Sequence, residues 1–186
     1  PTPTLSSAAS DVYKRQVIDS ICIEWPGSTV WDTTNVAVNQ FLTISEKPLF
    51  NRITDGDIVN DGVSTVSASW GDYDGDNDQD LFVTNCCGNN FLYRNNSDGT
   101  FTKITTGVIV TDNINSTSSS WGDYDNDGDL DLFVANTGIP GENNFLYRNE
   151  GGGNFTRISS GAIVNDDGAS QGCSWGDYDN DGDLDM

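Results

Sequence analysis

The sequence predicts an all-β fold made of propeller blades, each an antiparallel unit of four short strands. Three observations support this prediction. Trp70, Trp121 and Trp175 recur at intervals of about 50 residues, each beside the same aspartate-rich loop. Each interval holds four short runs with strand-like alternation, and no stretch shows the 3.6-residue period of a capped helix. Four strands in a unit of this length are typical of a propeller, where radial packing covers both faces of each sheet.

The four predicted strands of a unit differ in their residue patterns. The first, "STVSASW" or "STSSSW", alternates small polar and larger residues and suits a half-buried strand. The second, "DLFV", is a continuous apolar run, as expected of an inner strand. The third, "NFLYRN", and the fourth, "FTKI" or "FTRI", alternate in the type of side chain. Almost no helix is therefore expected.

Three segments are expected along the chain. Residues 1–16 are interpreted as a disordered processing scar, because "DVYKRQ" (Asp11–Gln16) is what a transposon-end sequencing adapter encodes. Residues 17–46 form a separate β segment. Residues 47–186 carry the repeats, in units of about 47–110, 111–164 and a truncated 165–186. The chain is accordingly expected to be part of a longer protein.

The composition limits the kinds of function. The chain has 29 acidic and 8 basic residues, a formal net charge of -21, and about half of the acids lie in the three loops. So acidic a surface argues against nucleic acid or an anionic membrane as partner. The sequence contains no run of 18 apolar residues, so no membrane insertion is predicted. The sequence contains no histidine, which excludes histidine general bases and histidine-ligated zinc within it. Its four cysteines form no CxxC pair and are expected to be free, partly buried thiols.

The aspartate loops predict metal sites. With Asp123 as position 1, the second loop reads D-x-D-x-D-G-x-x-D, with Gly128 at the sharp turn. Carboxylates packed this closely repel one another unless a cation lies among them. Positions 1, 3, 5 and 9 would supply side-chain oxygens and position 7 its backbone carbonyl. The candidate metal residues are Asp72, Asp74, Asp76, Asp78, Asp80, Asp123, Asp125, Asp127, Asp129, Asp131, Asp177, Asp179, Asp181, Asp183 and Asp185.

Calcium is the predicted ion, one per loop and up to three in all. Ca²⁺ accepts about 6–8 oxygen ligands in irregular geometry, whereas Mg²⁺ prefers fewer protein ligands and a stricter octahedron. An EF-hand is rejected because position 12 is Val83 or Val134, in strand sequence and without flanking helices. Asn77 replaces the position-6 glycine of the first loop, but asparagine tolerates left-handed backbone. The third loop lacks the strand that should follow it, so its site is expected to be poorly held.

Other interpretations of these residues are weaker. If the loops were only acidic surface turns, three copies of one pattern would not be needed. A glycosidase acid/base pair needs two carboxylates in unlike environments, whereas the three copies here are alike. No catalytic residue is therefore predicted. The three tryptophans named above could stack on sugars, but their fixed spacing favours a role in packing blades together. Arg94 and Arg148 are expected to be structural partners of nearby oxygens.

The repeats resemble the FG-GAP/VCBS family, which is also seen in integrin α-subunit propellers. The resemblance rests on "WGDYDNDGDLDLFV" and covers about 47–186. It implies that the loop joins the first two strands of a blade and that Asp123, Asp125, Asp127 and Asp131, with their equivalents, bind calcium. Residues 17–46 resemble the tail of an ASPIC/UnbV domain, through "CIEWPG" and the following Asn35, Asn39 and Gln40. That domain usually accompanies such repeats in secreted proteins.

The predicted function is that of a calcium-binding, non-enzymatic repeat module, secreted or at the cell surface. It would serve adhesion or ligand binding, with an extracellular protein or glycan as partner, next to other domains of the same polypeptide. Two alternatives stay open: an accessory domain of a secreted polysaccharide-active enzyme, and a structural spacer. Recovering the open reading frame around the chain would show whether a catalytic domain accompanies it. A screen on a glycan or matrix array would test the spacer alternative, which the absence of any bound ligand would favour.

Overall fold

The computed structural model describes residues 52–138 and 142–186, and the backbone of three earlier strands. These strands are β1 (Thr4–Ser6), β2 (Val17–Glu24) and β3 (Val30–Ala37). The chain divides into two compact units, Pro1–Arg52 and Ile53–Met186.

The first unit contains an antiparallel sheet in the order β1-β2-β3. β2 and β3 pair along their whole length, from Val17 opposite Ala37 to Glu24 opposite Val30. Both strands lie within the segment that resembles an ASPIC/UnbV tail, whose family stays a prediction. Of residues 1–16, only the strand β1 is described. The predicted processing scar otherwise lies outside the described residues.

The second unit contains two four-stranded antiparallel sheets, here called blade 1 and blade 2. Blade 1 has the order β4-β5-β6-β7, with β4 (Thr65–Gly71), β5 (Asp80–Asn85), β6 (Phe91–Asn95) and β7 (Phe101–Ile104). Blade 2 repeats it with β8 (Ser116–Gly122), β9 (Asp131–Asn136), β10 (Phe145–Asn149) and β11 (Phe155–Ile158). The predicted all-β fold of four-stranded antiparallel units is confirmed.

Helix is minimal in the described part of the chain. It consists of the single turn α1 (Asp57–Asn60) and two short 3-10 segments, Val108–Val110 and Ala162–Val164. The two 3-10 segments follow the last strand of their blade, and Ile109, Val110 and Val164 are buried. They turn the chain from one blade towards the next.

The register of the strands is repeated from blade to blade. Trp70 lies opposite Leu81 in blade 1, and Trp121 lies opposite Leu132 in blade 2. Both first strands also carry an irregularity at the same place, after Thr65 and after Ser116. β5 and β9 are buried at every residue, because each is an inner strand covered on both faces. Their continuous apolar sequence is the signal expected of such strands.

The two blades pack face to face through a shared apolar core. The Trp121 ring contacts Phe82 of blade 1 edge-on, at 6.2 Å between centroids, and lies nearly parallel to Tyr73 at 6.4 Å. The buried members of this core come from both blades: Tyr73, Phe82, Leu92, Ile109, Val110, Leu132, Val134, Phe145 and Tyr147. Ser69 Oγ and Ser119 Oγ, 2.7 Å apart, add a hydrogen bond between the first strands.

Close approach of this tryptophan requires a glycine on the preceding blade. A Cβ built on Gly71 would lie 2.7 Å from Cγ of Trp121, and one on Gly122 would lie 2.6 Å from Cδ1 of Trp175. Real Cβ atoms do not approach a ring so closely. Each residue of the repeated "WG" dipeptide therefore serves a different interface. The tryptophan packs on the previous blade, and the glycine makes room for the tryptophan of the next one.

The prediction that all three tryptophans are packing residues is wrong for Trp70. Its side chain is 54% exposed, whereas Trp121 and Trp175 each cover a glycine and aromatic rings of the preceding unit. Trp70 contacts Phe101 of its own blade, at 6.1 Å between ring centroids. Its position in sequence is equivalent, but within Ile53–Met186 no earlier blade lies in front of it.

The third unit comprises the segment around Trp175 and the aspartate loop that follows it. Gly176 and Asp185 form an isolated antiparallel bridge, with N–H···O distances of 3.0 and 2.8 Å. Trp175 stacks on Tyr124 at 6.3 Å and donates its indole N–H to the carbonyl of Ser120 at 3.1 Å. No helix in the described residues has the length and apolar character needed to cross a membrane.

Candidate metal centre

Loops 1 and 2 each connect the first two strands of their blade, and loop 3 lies between the bridged residues Gly176 and Asp185. The first aspartate of each loop organises the turn. In loop 2, the Asp123 carboxylate accepts the backbone N–H groups of Asp127 and Gly128, both at 3.0 Å. Asp72 and Asp177 accept the equivalent bonds in loops 1 and 3. Aspartate favours such turns because its short side chain reaches backbone donors a few residues ahead.

Two residues of each loop have left-handed backbone. At position 6 these are Asn77 (φ 71°), Gly128 (φ 97°) and Gly182 (φ 96°). At position 4 they are Gly75 (φ 76°), Asn126 (φ 60°) and Asn180 (φ 61°). Loop 1 has therefore exchanged the glycine and the asparagine between two positions that both need positive φ. Glycine and asparagine are the residues that adopt this conformation at least cost.

Asn77 takes over the backbone role of the glycine it replaces. Its N–H donates to Asp72 Oδ2 at 3.0 Å, matching the bond from Gly128 to Asp123 Oδ2. The turn is thus the same in both loops. The positive φ at position 4 was not foreseen from the sequence, although the asparagine–glycine exchange was a readable signal for it.

The aspartate at position 9 ties the loop to the rest of the blade. Asp80 is fully buried and accepts the N–H of Tyr73 at 3.3 Å and that of Asn95 at 2.7 Å. Asp131 is also fully buried and accepts the equivalent bonds from Tyr124 and Asn149, at 3.0 and 2.8 Å. One carboxylate thus holds both the start of the loop and the end of the third strand.

The structure brings three carboxylates together in each loop. One oxygen from each residue lies within 4.8 Å of the others in three groups: Asp72, Asp74 and Asp80; Asp123, Asp125 and Asp127; Asp177, Asp179 and Asp185. Loops 1 and 3 thus gather positions 1, 3 and 9, whereas loop 2 gathers positions 1, 3 and 5. Of the four side-chain positions predicted as ligands, 1 and 3 lie in every group, with 9 in loops 1 and 3 and 5 in loop 2.

The aspartates at positions 5 and 7 hold the turn or contact neighbouring residues, and among them only Asp127 also belongs to one of the three carboxylate groups. Asp76, Asp127 and Asp181 each accept the N–H of the residue two places ahead through one oxygen. At position 7, Asp78 accepts a hydrogen bond from the Ser97 hydroxyl, and Asp183 accepts one from the Asn126 amide at 2.7 Å. Asp129 Oδ2 lies beside Gly151. Position 7 therefore directs its side chain away from the cluster, which leaves its backbone carbonyl as the group that could face an ion.

The described residues form no close ion pair with a cluster carboxylate, although the rise that burial causes in the pKa of Asp74 is opposed by the charge of Arg94. The ion pairs within 52–138 and 142–186 are Lys103–Asp61, Arg148–Glu150 and Arg157–Asp112, none with a loop aspartate. Arg148 thus has the structural partner that was predicted, whereas Arg94 is exposed. Asp74 Oδ1 is buried without a hydrogen-bond partner in the structure. An unpaired buried carboxylate oxygen costs free energy, and a bound cation would remove that cost.

Burial and mutual repulsion shift the carboxyl groups towards protonation. Burial raises the pKa of Asp80 to about 6, against two backbone hydrogen bonds that lower it, with Asp74 and Asp76 adding repulsion. Asp131 is raised to a pKa of about 6 for the same reasons, with Asp125 and Asp127 as repelling charges. Burial first, and then Asp76, raise the pKa of Asp74. Repulsion of this kind favours any ligand that carries positive charge.

The donor set fits a hard divalent cation. It consists of carboxylate oxygens and contains no nitrogen or sulfur donor, a composition that suits Ca²⁺ or Mg²⁺ rather than a softer metal. The residues that would hold the ion in loop 1 are Asp72, Asp74 and Asp80. The irregular, turn-based arrangement favours the more adaptable Ca²⁺.

Asparagines that the sequence analysis did not single out support the loops. Asn149 donates through Nδ2 to the carbonyls of Tyr73 at 2.7 Å and Leu130 at 3.2 Å, joining the loops of both blades. Asn95 makes the equivalent bond to Gln79 at 3.2 Å. The repeated "LYRN" ending was the available signal, since both copies end in this asparagine.

Comparison with known proteins agrees with the architecture. A family model described as FG-GAP-like repeat matches residues 72–134 and again residues 133–186. No curated protein matches the chain. The two matches begin at the first aspartate loop, include the second and third, and together cover more than half of the chain. The chain therefore belongs to the FG-GAP-like repeat family and is a propeller repeat module.

Proposed function

We propose that this chain is a calcium-dependent, non-enzymatic binding module of an extracellular protein. The observation that carries the proposal is the convergence of three carboxylates in each loop, with no close ion pair to them among the described residues and with a buried oxygen on Asp74 that has no hydrogen-bond partner. FG-GAP-like repeats are generally structural or binding modules, and they often bind Ca²⁺.

Calcium would act as part of the fold. Loops 1 and 2 join the first two strands of their blades and are also bonded to the third strand through Asp80 and Asp131. An ion at this point neutralises the carboxylates and fixes the loop end of the blade. Extracellular modules commonly bind Ca²⁺ with Kd of about 10⁻⁴–10⁻³ M, which suits a compartment with millimolar calcium.

The ligand of the module would be an extracellular protein or a glycan. The loops of successive blades lie at one end of their sheets, and Asn126 of loop 2 contacts Asp183 of loop 3. Calcium would therefore order a continuous surface made of several loops. A secreted or cell-surface location is part of this proposal, and the acidic surface fits it because it disfavours nucleic acid as a partner.

A thermal-shift experiment tests the role of calcium. We expect the midpoint of unfolding to rise with millimolar Ca²⁺, since an ion that binds only the folded state stabilises it by about 1.4 kcal/mol at a concentration tenfold above Kd. An excess of chelator should reverse the rise, and equal Mg²⁺ should give a smaller one. An unchanged midpoint in Ca²⁺ would contradict the proposal.

Array screening would then identify the ligand class. The chain would be applied to immobilised glycans and matrix proteins in Ca²⁺ and in chelator. Binding that needs Ca²⁺ supports a ligand-binding module, and calcium-induced stabilisation without any ligand favours a spacer.

A further inference from the structure

The turn between β5 and β6 carries two adjacent cysteines that take no part in the metal clusters. Cys86 Sγ and Cys87 Sγ lie 3.3 Å apart. Cys86 is half-buried, as predicted, whereas Cys87 is exposed and not partly buried. Both are free thiols. The turn lies at the end of the blade opposite the aspartate loops, because β5 runs from one end to the other.

The backbone holds this turn at both of its ends. Asn85, fully buried, donates through Nδ2 to the carbonyl of Asn89 at 2.7 Å, and its N–H donates to Asn90 Oδ1 at 3.0 Å. The N–H of Cys86 donates to the carbonyl of Ser64 at 3.1 Å. The backbone beside the two thiols is thus anchored, so closing the bridge requires rotation of both side chains and distortion of the peptide that joins the two cysteines.

Blade 2 shows that the fold does not need these thiols. Asn136 makes the same bonds to Asn143 and Asn144, each at 2.9 Å. Thr137, the equivalent of Cys86, donates its N–H to Asn115 at 2.9 Å. Blade 2 therefore builds the same anchored strand end with threonine and glycine, Thr137–Gly138, where blade 1 has the cysteine pair.

We propose that Cys86 and Cys87 form a reversible redox site, which closes to a disulfide between neighbouring residues when it meets a small-molecule disulfide. Cys87, the exposed thiol, attacks one sulfur of the oxidant as thiolate and releases the other half as a thiol. The hydrogen bond with Cys86 raises the pKa of Cys87, so this attack is faster at alkaline pH. Cys86 then attacks Cys87 Sγ in the mixed disulfide and releases the second half. The two cysteines lose two electrons and two protons, and the oxidant becomes two thiols.

The product would be easily reduced. Cα atoms of neighbouring residues are about 3.8 Å apart across a trans peptide, which is shorter than the 4.4–6.8 Å usual for a disulfide. Strained and exposed disulfides have more oxidising potentials and are the labile ones. The site is therefore suited to respond to the thiol poise of its surroundings, independently of calcium.

Peptide mapping by mass spectrometry tests the inference on the whole chain. Trypsin cuts after Arg52 and Arg94, so residues 53–94 contain this pair and no other cysteine. The folded chain would be treated with oxidised glutathione, blocked with an alkylating reagent and digested. We expect this peptide to lose two hydrogen atoms, to carry no glutathione, and to regain both thiols after reduction with dithiothreitol.

Three variants separate the steps. Cys86→Ser should retain glutathione on Cys87, because the second attack is missing. Cys87→Ser should react more slowly, because Cys86 is half-buried. The double change Cys86→Thr with Cys87→Gly, the residues of blade 2, should keep the thermal midpoint and remain inert at this turn. Two free thiols, two glutathione adducts, or bridges to Cys22 or Cys173 in the wild-type chain would overturn the proposal.

Discussion

Blades 1 and 2 share their strands, register and loop turns but differ in what covers their first strand. Trp121 of blade 2 is packed on Gly71, Tyr73 and Phe82 of blade 1. Trp70 of blade 1 is 54% exposed. Two tryptophans with the same local sequence thus have different surroundings. The comparison teaches that local sequence determines the blade, whereas the contribution of its interface residues to stability depends on the neighbouring blade.

The outer edges of the two blades show the opposite case, in which different residues make equivalent contacts. Tyr93 donates its hydroxyl to Asp61, which pairs with Lys103 at 2.8 Å, and the Lys103 ammonium lies 3.4 Å from the centre of the Phe91 ring. In blade 2, Tyr147 donates to Asp112 at 2.6 Å, and Arg157 lies 3.5 Å from the centre of the Phe145 ring. Lysine and arginine can exchange here because either cation is attracted to the face of an aromatic ring.

The largest expected effect separates the two tryptophans. Trp121→Ala should destabilise the chain by about 3 kcal/mol, because it empties a packed interblade site. Trp70→Ala should cost less than about 1 kcal/mol, since most of this side chain is already in water. Denaturant unfolding of both variants in the presence of Ca²⁺ measures the difference. Equal losses would show that the interface does not distinguish the two positions.

The next effect distinguishes two aspartates of loop 1. Asp74→Asn removes a charge from the carboxylate group and should weaken Ca²⁺ binding at this loop more than about tenfold, or about 1.4 kcal/mol. The same change should leave the calcium-free protein equally stable or stabilise it, because repulsion decreases. Isothermal titration calorimetry and melting in chelator measure the two effects.

Asp78→Asn is the matched control for that experiment. Its carboxylate contacts Ser97 rather than the cluster, so its calcium affinity should stay close to that of the wild type. Equal loss of affinity in both variants would mean that charge alone, and not position in the loop, governs binding.

A pH series should reveal the buried aspartates at the strand junctions. Burial raises the pKa of Asp80 and Asp131 to about 6 in the folded state, above the value of about 3.9 for an unfolded aspartate. Their contribution to stability is then fully present below pH of about 4 and is lost as pH rises through about 6. In chelator, the melting temperature should fall across this window.

Calcium should reverse that trend, since it binds the deprotonated carboxylates. The rise in melting temperature caused by Ca²⁺ should therefore grow between pH of about 4 and 6. Differential scanning calorimetry in Ca²⁺ and in chelator would measure both curves. A calcium effect that is constant across the window would argue against the buried aspartates as part of the site.

The smallest effect concerns the exchange of glycine and asparagine in loop 1. Asn77→Gly should change stability by less than about 0.5 kcal/mol, because both residues accept positive φ. Asn77→Val should cost about 1–2 kcal/mol, because a β-branched residue is strained in left-handed backbone. A neutral Asn77→Val would contradict the positive φ at this position.

Much of the fold was predictable because its signals are local and repeated. "DLFV" predicted the buried inner strands β5 and β9, and "FLYRN" predicted β6 and β10, since each pattern matches the environment that its strand occupies. The aspartate spacing likewise predicted the turns of the three loops. The hydrogen bonds of the aspartate at position 9 were less predictable, because its backbone partners Asn95 and Asn149 come from a later strand.

The sequence by itself determined the repeat, the strand pattern and the clustering of acidic residues, because each depends on interactions within a few residues of the chain. The tertiary structure decided which carboxylates converge, that Trp121 is packed while Trp70 is exposed, and that Cys86 and Cys87 share an anchored turn. Those outcomes depend on contacts between residues that are distant in sequence, and repeats with the same local pattern do not reveal which copy has a neighbour.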